Sequence, residues 1–401
     1  MRTKAVNDIA VGVSHYFVSS LIVVIATSFG HAFLIPLQGV NKRNNEPIGA
    51  FTRFDGEHYK DICADGYSYD PDERSTVAFF PLYPVLSLFV MEVFRCPPAV
   101  GLLIVSNLFL ALSCVALHRY ARLRYKELSP RLPIFVVAAF VFFPPTLFFH
   151  MAYSESLFFF LAVAVLLGME ERWPLWVIGL LVGLATAARP VGVALLPVLA
   201  LYLWRNADGI KTFLVRSLFI LPLGCSGLLA YMAFQWWAFG EPLAFAKTQD
   251  HWRAYPRGTA FEQFQALVQF EPIWGVFDPS SARYWGRLDL HEDPLHSMIF
   301  LNPVFFCWAV LTIAIGVKAK WLNGYEILLA CGLLLIPYVT RAYDNSMLAM
   351  ARFVAAAVPC YLVWGRMALL LPAFARSFPV AIGVYFLAIF AAMFAAGYWV
   401  F

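Results

Sequence analysis

Apolar residues in this chain do not recur with the period of an amphipathic helix or strand. They run on for stretches that approach the roughly 20 residues a helix needs to cross a bilayer. Such runs lie near 10–38, 98–118, 132–149, 153–169, 174–188, 190–204, 213–238, 297–316, 325–339, 353–371 and 378–399, several of them punctuated by proline. The pattern predicts an all-α polytopic membrane protein with about 11 transmembrane helices. One more apolar stretch, 79–94, begins Phe79-Phe-Pro-Leu-Tyr-Pro84 and is either a further span or a helix lying in the interface. Two long polar segments, 39–77 and 240–296, interrupt the apolar runs, with short polar junctions at 150–156, 186–190 and 340–352.

Charge orients these elements, because cytoplasmic connections carry an excess of Lys and Arg. The most basic connection is His118-Arg-Tyr-Ala-Arg-Leu-Arg-Tyr-Lys126, followed by Arg131, and it belongs inside. A full crossing by 79–94 would reverse that orientation, so this stretch is read as re-entrant or interfacial. Arg205, Lys211, Arg216, Lys318, Lys320, Arg366 and Arg376 then also fall inside, and the loops 39–97 and 240–296 fall outside. The basic start Met1-Arg-Thr-Lys4 is followed by a long apolar run and then by Gln38-Gly-Val-Asn-Lys-Arg43 rather than a small-residue cleavage site, so the first span is read as retained. The whole of 1–401 is expected to form one membrane domain, with no internal repeat, heptad or low-complexity tract by eye.

Composition removes several classes of function. With 61% hydrophobic and only 13% charged residues, the chain cannot be a water-soluble enzyme. A net charge of +4 without a basic polar block leaves no nucleic-acid surface. The seven cysteines contain no CxxC pair and suggest no zinc site or disulfide framework; Cys63 and Cys96 are the one pair that could join outside the membrane.

Candidate chemistry concentrates in the outer segments. Arg53-Phe-Asp-Gly-Glu-His-Tyr59 opens a short helix with Asp55, His58 and Tyr59 on one face, ended by Gly66. A carboxylate beside an imidazole suits general-base work, although Thr52-x-x-Asp55 also has the spacing of a capping box. Glu155, in His150-Met-Ala-Tyr-Ser-Glu-Ser156, stands at the mouth of two apolar runs; Ser154 capping that helix is the structural alternative. Arg189, before Pro190, puts a permanent cation between apolar runs, suited either to a phosphate or to an ion pair with Glu155. Arg341 and Arg352 are further cations on the same side. The 240–296 loop, with His251-Trp-Arg253 and His291-Glu-Asp-Pro-Leu-His296, mixes aromatics and acids in a manner suited to sugars, and the five-residue His spacing argues against a metal.

Taken together, Phe54-Asp-x-x-His-Tyr59, Ala64-x-Gly-Tyr67, Ala78-Phe-Phe-Pro-Leu-Tyr-Pro84, Tyr153-Ser-Glu-Ser156, Arg189-Pro-Val-Gly192 and Ala351-Arg-Phe353 resemble, in order and over nearly the whole chain, the PIG-V-type mannosyltransferases. These include the enzyme that adds the second mannose to glycosylphosphatidylinositol anchors. The resemblance implies a membrane enzyme of the C-type glycosyltransferase fold, with its site on the lumenal or extracytoplasmic face and a polyprenyl-phosphate-linked sugar as donor. The family's loop acid usually follows Trp; here Phe54 precedes Asp55.

The resulting expectation is an inverting, metal-independent transfer of a hexose, mannose first, to a lipid or glycan hydroxyl, with no cofactor and no partner subunit indicated. Asp55 is expected as general base and His58 as its support, with Arg189 and Arg352 binding the donor phosphate. Arg53, Tyr59, Phe80, Tyr83, Tyr153 and Glu155 are expected to line the substrate site, and the 240–296 loop to face the acceptor. A transporter or flippase of a lipid-linked sugar is the alternative. The bacterial plasma membrane is favoured as the location, or the endoplasmic reticulum in a eukaryote.

Overall fold

The computed structural model describes residues 2–35, 47–256, 258–288 and 293–398, which form an all-helical protein. In chain order the helices are α1 (Arg2–Phe33), α2 (Asp55–Asp65), α3 (Leu82–Phe94), α4 (Pro98–Arg124), α5 (Leu132–Val141), α6 (Glu155–Glu170), α7 (Leu175–Ala188), α8 (Leu195–Arg205) and α9 (Ile210–Phe239). Four short ones, α10 (Ala244–Lys247), α11 (Ala260–Val268), α12 (Glu271–Trp274) and α13 (Trp285–Leu288), lie in the second polar loop. The chain closes with α14 (Met298–Lys318), α15 (Gly324–Pro337), α16 (Tyr343–Asn345), α17 (Met350–Ala355), α18 (Val358–Leu370) and α19 (Ser377–Ala395).

Among the described residues six helical stretches are long and apolar enough to cross a membrane: Val6–Phe33, Pro98–Arg124, Ile210–Phe239, Met298–Lys318, Gly324–Asn345 and Ala373–Ala395. The expected count of about 11 full crossings is therefore not confirmed among the described residues. The runs near 132–149, 153–169, 174–188, 190–204 and 353–371 instead fold as α5, α6, α7, α8 and α18, of 10 to 16 residues. Proline is one reason. The 3₁₀ turns Pro144–Phe149 and Pro190–Ala194 break the apolar runs, since proline supplies no N–H to an α-helical ladder. Broken backbone at this depth is tolerated where protein covers it, and every side chain from Pro144 to Phe149 is buried.

α3 has 13 residues, about 20 Å, against a hydrocarbon core of about 30 Å. Tyr83, Pro84 and Ser87 face inward while Val85, Phe89 and Val93 stay exposed, the pattern of a short helix laid against the bundle. The same geometry corrects the proposed Cys63–Cys96 pair. Cys63 points from α2 to the Pro84 carbonyl near the start of α3, at 3.9 Å, whereas Cys96 follows the far end of that helix. The intervening length far exceeds the roughly 7 Å between Cα atoms that a disulfide spans, and both thiols are free.

α7 and α9 pack closely, and small residues let their backbones meet. A Cβ placed on Gly227 would lie 2.1 Å from the Gly183 carbonyl oxygen, so neither helix can carry a larger residue there without moving.

Polar groups gather at the two ends of the bundle. At one end Asp8 of α1 accepts from Arg122 of α4 through Oδ1 at 2.8 Å and Oδ2 at 2.5 Å, and meets His118 at 2.8 Å. At that same end Glu326, fully buried at the start of α15, accepts from Tyr120 at 2.7 Å and Arg124 at 3.1 Å. The other end collects α2, the start of α6, the end of α7, the end of α15 and the start of α17. The second polar loop, leaving the end of α9 and returning to the start of α14, joins them there.

Candidate active site

α2 begins at Asp55 without a side-chain cap. Its preceding residue Phe54 has φ 56°, a strained value for an aromatic residue, and Thr52 donates to the Gly49 carbonyl at 3.3 Å. Asp55 therefore does not act as a cap. Its Oδ2 accepts from Arg352 Nη1 at 2.8 Å, and its Oδ1 takes no hydrogen bond among the described residues. Burial works against the charge on Asp55, but the Arg352 guanidinium outweighs it and holds the carboxyl below its ordinary range. The expected helix stop also forms: Gly66 has φ 85° and its N–H reaches the Ile62 carbonyl at 3.0 Å.

Arg352, near the start of α17, joins two carboxylates. Besides Asp55 it donates from Nε and Nη2 to Glu155 Oε1, at 2.8 and 2.5 Å. Arg189 donates to that same oxygen at 2.6 Å, so the Glu155–Arg189 ion pair forms and is shared with a second arginine. Glu155 is 1% exposed, and its Oε2 is buried with no hydrogen-bond partner. Two cations are thus drawn onto one carboxylate oxygen while the other stays open. Stacking fixes Arg352 further, with the guanidinium carbon 4.8 Å from the Tyr153 ring centre and 5.2 Å from that of Phe148.

The other expected site residues divide into two groups. Tyr59 is buried and donates to Ser154 Oγ at 3.0 Å, and Arg189 reaches the same hydroxyl at 3.5 Å, so Ser154 ties α2 to the arginine cluster instead of capping α6. Tyr153 donates to the Arg53 carbonyl at 3.2 Å. Burial lowers the pKa of the Arg53 guanidinium, with Glu57 partly offsetting the effect. His58 makes no hydrogen bond to Asp55 among the described residues; its ring stacks on Phe79 at 5.0 Å and meets Trp252 edge-on at 5.1 Å. Tyr83 meets the Tyr59 ring edge-on at 4.8 Å and so backs the cluster, whereas Phe80 lies away from it. Phe80 packs on Tyr231 and Phe245, and Tyr83 bonds into α4 through Leu102 O at 2.9 Å and Ser106 Oγ at 2.7 Å.

The second loop is bound to the first. Arg74 donates to the His251 carbonyl at 2.9 Å and stacks on Trp252, and Ser75 N–H reaches Thr248 Oγ1 at 3.1 Å. Arg283, 7% exposed, bonds Glu271 at 2.8 Å and is stacked between Tyr255 and Tyr343, each 4.8 Å away. Of the possible histidine pair in this loop, His296 bonds Asp293 at 2.8 Å, and His291 lies outside the described residues. Ser154, Phe148 and Trp252 were not marked by the sequence as site residues. Ser154 reads as an ordinary cap, and no local spacing brings Trp252 to His58.

The fold and this cluster define a helical membrane protein with a buried, charge-rich site at one end of its bundle. Residues 20–235 match the family model described as mannosyltransferase (PIG-V), and the chain belongs to that family. Asp55, His58, Tyr59, Tyr153, Glu155 and Arg189 lie within the matched stretch, and Arg341 and Arg352 beyond it. The chain is 32% identical over 179 residues to GPI alpha-1,6-mannosyltransferase 2 of Rattus norvegicus, covering 42% of this chain and 35% of that one. Against the Homo sapiens protein of the same name it is 30% identical over 179 residues, covering 42% and 34%. The match thus spans about a third of the length of these relatives. The apo crystal structure of the Archaeoglobus fulgidus oligosaccharyltransferase superposes with a TM-score of 0.45 at 14% identity, covering 96% of this chain and 56% of that one.

Proposed function

We propose that the protein is a glycosyltransferase of the C-type fold that moves a hexose, mannose first, from a polyprenyl-phosphate-linked donor to a hydroxyl of a lipid or glycan acceptor. The site faces the extracytoplasmic or lumenal side, the side to which the positive-inside pattern assigns both polar loops. Arg352 bridging Asp55 and Glu155 is the observation that carries this reading. It sets a carboxylate with a free oxygen beside the buried Arg352 guanidinium and the partly buried one of Arg189, as a base and a developing phosphate charge require.

Asp55 Oδ1 accepts the acceptor's hydroxyl proton as that oxygen attacks the anomeric carbon. General-base assistance of this kind contributes on the order of a hundred- to ten-thousandfold in rate. The bond from the anomeric carbon to the phosphate oxygen breaks on the opposite face, so configuration inverts. Negative charge gathers on the leaving phosphate, where Arg189 and Arg352, preorganised by Glu155, stabilise it in place. His58, between Phe79 and Trp252, forms the aromatic wall that receives the sugar.

The test is transfer of radiolabelled mannose from polyprenyl-phosphate mannose to a lipid extract by purified protein in nanodiscs, with wild type and Asp55→Asn compared. Label should enter a new lipid or glycan with wild type only, while Asp55→Asn keeps the wild-type melting temperature to within a few degrees. A folded Asp55→Asn protein that retained most of the activity would remove the proposed base.

A further inference from the structure

The backbone leading into Arg352 takes an unusual course. Between α16 and α17 three non-glycine residues, Ser346, Met347 and Ala349, have φ of 47°, 64° and 66°. Left-handed backbone strains any residue that carries a Cβ, and it persists only where the surroundings hold it. This turn sets the start of α17, because Ala349 immediately precedes that helix and its carbonyl accepts from the Arg352 N–H at 3.1 Å. The place of Arg352 beside Asp55 and Glu155 therefore depends on what holds residues 346–349.

Holding contacts come from two sides. From α14, the buried Asn302 side chain accepts from the Ala351 N–H at 2.7 Å. From the second polar loop, the Ala254 and Tyr255 N–H groups donate to the Asp344 carbonyl at 3.2 and 3.1 Å, and Ala254 also meets Asn345 Oδ1 at 3.1 Å. Arg283 of that loop reaches the turn itself. Its Nη1 donates to the Tyr343 carbonyl and, at 3.1 Å, to Ser346 Oγ, the hydroxyl of the first left-handed residue. Its Nε is held by Glu271 at the start of α12, at 2.8 Å, and the Tyr255 and Tyr343 rings cover it. A guanidinium can bridge loop and turn in this way because its donors form a rigid fork, which an ammonium lacks.

We propose that Arg283 is a positioning residue of the site: it clamps the strained 346–349 turn to the second polar loop and so keeps Arg352 against Asp55 and Glu155. Its importance for turnover rests on the role of Asp55 proposed above. Arg283 acts through Arg352, and Asp55 reports the clamp. Arg352 is bonded to Asp55, while His58, Arg189, Tyr153 and Arg341 also act on its charge. A turn that relaxes draws Arg352 away and leaves burial to favour the protonated carboxyl.

The test compares wild type, Arg283→Gln, Arg283→Lys and the double variant Arg283→Gln/Ala349→Gly in nanodiscs, with thermal melting to monitor folding. The first readout is the infrared band of a protonated carboxyl at about pH 5, assigned to Asp55 by its absence in Asp55→Asn. The second is kcat for mannose transfer from polyprenyl-phosphate mannose to a lipid extract. The band should be absent in wild type and present in Arg283→Gln, with kcat lowered about tenfold, and Arg283→Lys should show both effects more weakly. Glycine adopts the left-handed conformation freely, so Ala349→Gly should reverse part of both effects. A folded Arg283→Gln protein without the band would overturn the clamp, whatever its kcat. If Arg283→Gln does not fold, absence of the band and wild-type kcat in Arg283→Lys would overturn it. Failure of Ala349→Gly to reverse either effect would overturn the strained turn as the link. Absence of transfer by wild type would overturn the proposed function, while the infrared readout would still decide the clamp.

Discussion

In the proposed mechanism Asp55 is the base, and its ion pair with Arg352 dominates its pH behaviour. Its folded pKa is depressed, so the stability of the ion pair is complete above the unfolded carboxyl range near pH 4. That stability is lost as pH falls through the lower folded value. The carboxylate therefore stays ionised over the whole mildly acidic range. Transfer rates measured against pH should stay level from neutrality down to about pH 5, with no loss assignable to Asp55 above about pH 4. A rate halving near about pH 6.5 would point to a different titrating base. The helix carrying Asp55 was legible from i, i+3, i+4 spacing and from Gly66. The pairing of Asp55 was not, because Arg352 lies far along the chain.

At the scale of elements, apolar run length marked where helices lie but not where their runs break into shorter pieces. Hydropathy sees residues such as Phe148 and Phe149 as lipid-facing, yet they are 1% and 0% exposed in a broken turn inside the bundle. The long stretches 98–118, 213–238 and 297–316 contain no such break and became α4, α9 and α14. The second loop was readable as aromatic and acidic, but not as bound to the first, since the contacts of Arg74 and Ser75 join distant parts of the chain. Close packing of α7 on α9 gives an element-scale prediction. Gly227→Val should destabilise the protein by about 1–3 kcal/mol, read as a lower melting temperature in nanodiscs. A surface change such as Lys211→Gln should leave it within about 0.5 kcal/mol. An unchanged melting temperature for Gly227→Val would mean that α7 and α9 separate easily.

The molecule as a whole keeps two charge-rich ends apart with an apolar middle. The end built on Asp8, His118, Arg122, Arg124 and Glu326 ties α1, α4 and α15 together. The opposite end holds Asp55, Glu155, Arg189 and Arg352 in one cluster. Burial of Glu155 beside its two arginines has a consequence for the medium in which the protein works. Mobile ions screen exposed charges within about 10 Å at 0.1 M salt, but they do not enter a site whose central carboxylate is 1% exposed. Attraction between such a site and an anionic lipid is set by the protein's interior rather than by the surrounding water. A roughly tenfold rise in sodium chloride should thus change the donor KM less than about twofold, whereas attraction through surface lysines would weaken several-fold. The protein would then keep its hold on a scarce lipid in dilute and in salty surroundings alike.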